Sequence, residues 1–148
     1  MRDAPWRLRE PGQLITEVLA EYQVDDGDAV VACVRDASSE QMYVGAVHVS
    51  ASRWRSLDRY DQSTFLGETA QQLPIPEWQP GPPNHSIVTV LARSGYAVSG
   101  RVEGEWAVAW LYSNHLTHAY LGDLILVTEF GWTELGSRRG AHLPALSD

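Results

Sequence analysis

The chain has 148 residues, 44% of them hydrophobic and 20% charged, the profile of one globular domain large enough to bury its own core. Its formal net charge of −8 disfavours nonspecific nucleic-acid binding, because an acidic surface repels phosphate. The single cysteine, Cys33, excludes an intrachain disulfide and fits a reducing compartment. With no apolar signal core at the N-terminus and no apolar run of about 18 residues, the expectation is a cytoplasmic, soluble protein.

Residues 1–10 read as an irregular N-terminal arm, with Trp6 and Leu8 able to dock on the body. Pro11-Gly12 opens a helical pattern in which Leu14, Val18 and Tyr22 recur every fourth residue, widened by Ile15 and Leu19. Asp25-Asp26-Gly27-Asp28 is a turn signal that ends it. "AVVACVRD" is a continuous apolar run with β-branched residues and predicts a central strand. "QMYVGAVHVS" follows after a few polar residues, so the pair predicts an antiparallel hairpin.

Residues 51–73 are helical in composition, with a break. Trp54 and Leu57 mark one stripe and Phe65, Leu66, Thr69 and Leu73 another, with Asp61-Gln62-Ser63 as the new N-cap. Arg53, Arg55 and Arg59 lie within seven residues, with Trp54 between them and Tyr60 directly after, a solvated helix face. "LPIPEWQPGPPNH" is proline-rich and predicts an extended surface connection within one domain. "SIVTVLAR" is the third strand, closed by Ser94-Gly95. A helix is expected from near Glu103 to about residue 120, ended by Gly122-Asp123, with "LILVTE" as a fourth strand and residues 136–148 as a flexible tail.

Strands apolar on both sides belong to a sheet covered on both faces. The fold expected is a single α/β domain over residues 11–135, a mixed sheet of about four or more strands flanked by helices.

Chemistry concentrates in "LYSNHLTHAYLGDLILVTEFGW", residues 111–132. On a helix, His115 and His118 would share a side and could offer two ligands to zinc. A catalytic zinc takes three protein ligands, and Asp123 or Glu129 could supply the third. The same four residues could instead move protons near neutral pH. Alternatively, histidines at a helix C-terminus interact favourably with its dipole and need no metal. Motifs for a metalloprotease helix, a serine nucleophile elbow and phosphate or dinucleotide loops are missing. Trp106, Trp110, Tyr112, Tyr120 and Trp132 are core residues or an aromatic interaction surface.

The element order, with a strand ending in Ser94-Gly95 and Gly131-Trp132 after the last strand, resembles the RadC-like branch of JAB/MPN metalloproteases over roughly residues 28–132. The family's zinc motif is H-x-H-x(7)-S-x-x-D. Aligning Ser94-Gly95 with the family's Ser-Gly places Val90 and Ala92 at the two histidines, Gly100 at the serine and Glu103 at the aspartate. The resemblance therefore implies a domain without its hydrolytic zinc site, because one carboxylate cannot hold the metal. It implies a noncatalytic domain without cofactor that binds a protein or small molecule through Trp106, Trp110, Tyr112, Asn114 and His115. The alternative is a small metal-dependent or acid–base enzyme using His115 and His118 with Asp123 or Glu129 and, where a metal serves, zinc. A third reading is a homo-oligomer with tryptophans across its interface.

Overall fold

The computed structural model describes residues 4–76, 78–98, 100–136 and 139–142. The elements are α1 (Pro11–Glu21), β1 (Ala29–Arg35), β2 (Met42–Val49), α2 (Ala51–Arg55), α3 (Arg59–Gln71), β3 (His85–Ala92), α4 (Arg101–Tyr112), β4 (Ala119–Thr128), β5 (Gly131–Glu134) and β6 (Gly140–His142). They form an α/β fold on one mixed sheet, in the order β2-β1-β3-β4-β5-β6. β1 runs antiparallel to β2 and β3, and β3 runs parallel to β4 through the α4 crossover. Among the described residues, no helix is long and apolar enough to cross a membrane.

The alternation of side chains along β1 divides the core in two. Ala29, Val31 and Cys33 join Ile87, Leu91 and Leu124 under α2, α3 and α4. Val30, Ala32 and Val34 join Val88, Val90 and Ile125 under α1, whose Leu14, Ile15 and Val18 close that face. Leu8 of the arm is buried there as well, and Gln41 and Glu10 exchange two hydrogen bonds, at 2.6 and 2.7 Å, that fix the arm to the β1–β2 loop.

The break between α2 and α3 lies earlier than the expected N-cap. Asp58 caps α3, its carboxylate accepting from the Asp61 N–H at 2.8 Å, and Ser50 caps α2 in the same way. The larger correction concerns the expected 103–120 helix. α4 ends at Tyr112, and β4 already begins at Ala119, so Gly122 and Asp123 lie inside a strand. Gly122 is needed there because a Cβ would stand 3.0 Å from Ile87 O, beside the irregularity between Ile87 and Thr89. In sequence, the same glycine mimics a helix stop. Residues 140–142 of the expected tail pair with β5, while residues 143–148 lie outside the described residues.

Candidate functional site

Trp106 and Trp110 leave the set of contact residues. Trp106 is buried and stacks on Trp54 with ring centroids 3.7 Å apart. Trp110 is also buried, and its indole N–H donates to Thr89 Oγ1 at 2.7 Å, satisfying the one hydroxyl that β3 directs into this layer. Tyr112 and Asn114 are exposed and face the same groove.

His115 and His118 sit in the loop between α4 and β4, so the helical spacing that would bring them to one side does not apply. His115 Nδ1 lies 2.5 Å from Thr117 Oγ1, and burial lowers the His115 pKa below its ordinary value. His118 is tied through its backbone N–H to Pro76 O at 2.9 Å, and its buried Nε2 has no hydrogen-bond partner among the described residues. The expected third ligands point their chemistry elsewhere. Asp123 accepts from the N–H groups of Leu124 and Gly136, at 2.8 and 2.7 Å. Glu129 lies past the far end of β4, about 35 Å along the strand from His118 at ~3.3 Å per residue, and accepts from the Gly95 N–H. Among the described residues, no group of three or more His, Cys, Asp and Glu is placed to hold a metal ion. Cys33 is buried, which pushes its thiol up to about 12 and keeps it protonated at neutral pH.

At the carboxyl end of β3, where open α/β sheets commonly bind ligands, Arg93 turns back on its own loop. Its guanidinium meets both Glu103 oxygens, at 2.9 and 3.1 Å, and donates to the carbonyls of Ser94, Tyr96 and Val98. Glu103 also accepts from the Gly100 N–H at 2.7 Å. A hollow of about 300 Å³ beside this pair is walled by Trp54, Leu91, Ala92 and Val102 with Arg55 and Glu105 among its charged lining. Val90, by contrast, belongs to the core under α1.

The larger opening is a groove of about 720 Å³ between α3 and the end of α4, lined by Arg59, Tyr60, Gly67, Gln71, Tyr112 and Asn114 among others. Its two tyrosines are 80% and 74% exposed, Tyr60 and Tyr112 respectively. Gly67 lets the loop after α4 come close, since a Cβ there would stand 3.1 Å from Asn114 O. Beside the groove, Leu116 is exposed and adopts a positive φ of 51°, a conformation that disfavours a bulky side chain. Tyr60, Gly67 and Leu116 were not among the residues expected from sequence. Gly67 carried a signal, because glycine inside a helix is destabilising unless something passes close by.

No known protein family, curated protein or solved structure matches this chain.

Proposed function

We propose that the chain is a noncatalytic partner-binding domain, as the resemblance to an inactivated RadC/JAB domain implies, and that its contact surface is the α3/α4 groove. The observation that carries this reading is the pair Tyr60 and Tyr112, two aromatic side chains held largely in solvent on the two walls of one groove. Exposed aromatics on a rigid helical frame are the residue type enriched at interaction hot spots. Asn114 adds hydrogen-bonding groups at the rim, and His115 shapes the loop that carries it through its contacts with Thr117. In support of a noncatalytic role, Glu103, the one residue with ligand character in the resemblance, already accepts from Arg93 and Gly100. The cytoplasmic placement belongs to the same proposal and rests on the single buried thiol.

The test is site-specific photocrosslinking in cells, with benzoylphenylalanine at position 60 or 112 and, as control, at Leu19 on the opposite face of the sheet. The same adduct from both groove positions, and none from position 19, is expected. Equal adducts from all three positions overturn the reading. A second reading, the small metal-dependent or acid–base enzyme, rests on the buried Nε2 of His118, which has no partner among the described residues. Near-stoichiometric zinc in dialysed protein, lost in a His115→Ala, His118→Ala double variant, would favour it.

A further inference from the structure

We infer that the groove's occupant is a second copy of this chain, which inserts the exposed Trp78 of its proline-rich segment at residues 74–83. The inference rests on the partner-binding reading of the groove and names the partner. That segment has prolines at 74, 76, 80, 82 and 83, with Trp78 between them. Trp78 is 74% exposed. Each proline fixes its own φ, and the chain bends at Gly81, whose φ is 87°, so part of the segment's conformational freedom is already spent before docking. Aromatic-lined grooves are the usual receptor for a ligand of this kind. The chain thus carries an aromatic-lined groove and a proline-rich segment, whose Pro74, Ile75 and Pro76 rest on the body while Trp78 stands exposed.

The two are also neighbours. Gln71 lines the groove and a second hollow that it shares with Ile75, Leu116 and Thr117, so the exposed surface runs from Tyr112 to the start of the segment. The His118 N–H holds Pro76 O and fixes where the segment departs. Around a two-fold axis beside this junction, each copy can place its segment in the other's groove, an isologous contact that closes on itself. Tyr60, Trp78, Tyr112 and Leu116 are 80%, 74%, 74% and 65% exposed. With ~150–250 Å² for each fully exposed aromatic and somewhat less for the leucine, they offer about 600 Å² per copy, most of the ~800 Å² per partner of a specific interface. Leu116 fits the same account: an exposed apolar side chain on strained backbone gains nothing in the isolated chain.

Sedimentation velocity on the full chain, from low micromolar to ~200 µM, should show a monomer–dimer equilibrium. Trp78→Ala and Tyr112→Ala should each weaken it roughly tenfold or more, as hot-spot truncations do. Their melting temperatures should stay within about 2 °C of wild type when compared at low concentration. Mixing the two variants supplies a readout that simple damage would not: one intact segment meets one intact groove. The mixture should associate more tightly than either variant alone. A wild-type chain that stays monomeric throughout, or a dimer that neither substitution weakens, overturns the inference. Crosslinks from positions 60 and 112 to another protein, with the wild type monomeric, would overturn it and leave the groove reading standing. Loss of both signals removes both.

Discussion

Asp28 accepts from the N–H groups of Ala51 and Asp25, at 2.8 and 3.1 Å, and lies 3.0 Å from His48 Nε2. Burial alone would raise its pKa, but these hydrogen bonds and the charge on His48 prevail and hold the carboxyl below its ordinary value. A depressed carboxyl stabilises the fold fully above its unfolded pKa of ~3.9. That contribution is lost as pH falls from there through the folded value. Asp28→Asn should therefore cost about 1–3 kcal/mol at neutral pH and flatten the acid limb of the stability profile, measured by urea unfolding at stepped pH. An unchanged acid limb would place the pH dependence elsewhere. The Trp110–Thr89 bond is tested similarly. Trp110→Phe leaves a buried hydroxyl unpaired and should cost about 1–3 kcal/mol. Adding Thr89→Val should recover part of the loss, and strictly additive effects in the double-variant cycle would refute the coupling.

At the scale of elements, the end of α4 and the start of β4 decide where the candidate site lies. Ser113 closes α4 by donating to Trp110 O at 2.8 Å, and the chain is already extended at Ala119. Apolar periodicity cannot locate that boundary, because "HAYLGD" carries aromatic and small residues compatible with either state. The decision comes from β3, whose residues from His85 to Ile87 pair with those from Ala119 to Leu121. Gly122 tests this pairing. Gly122→Ala would press a methyl against a sheet carbonyl that cannot easily move, and should destabilise by about 1–3 kcal/mol in chemical denaturation. A neutral effect would mean that β4 can slide away from β3. By contrast, the hairpin and the existence of a break between α2 and α3 were legible, since β-branched runs and polar capping chemistry mark them locally, although the cap is Asp58 and not the expected Asp61-Gln62-Ser63.

For the whole molecule, the arm at residues 4–10 counts as part of the core. Leu8 is buried beneath the sheet, and its carbonyl accepts from Arg139 Nη2 at 2.6 Å. Arg139 also pairs with the buried Glu134, so the first and last described segments meet on one face. Leu8→Ala should cost about 2–5 kcal/mol, the range for truncating a buried leucine, read from the urea midpoint. A loss below 1 kcal/mol, within the range of ordinary surface substitutions, would show the arm to be dispensable. The opposite face carries the groove, so the arm's contribution and the groove's contacts should be separable: Leu8→Ala should lower stability and leave the photocrosslinks from positions 60 and 112 in place.

The sequence by itself determined the α/β class, the central apolar strands, the hairpin and the helix on the far face. These follow from continuous apolar runs with β-branched residues, a period of about four residues and turn chemistry, which act between near neighbours. Only the tertiary structure decided which aromatics are core and which are surface, because Trp106 is buried by Trp54 and Trp110 by Thr89, each from a distant part of the chain. It also separated His118 from Glu129 and joined Tyr60 to Tyr112, since strand extension and helix packing set distances that spacing along the chain does not contain.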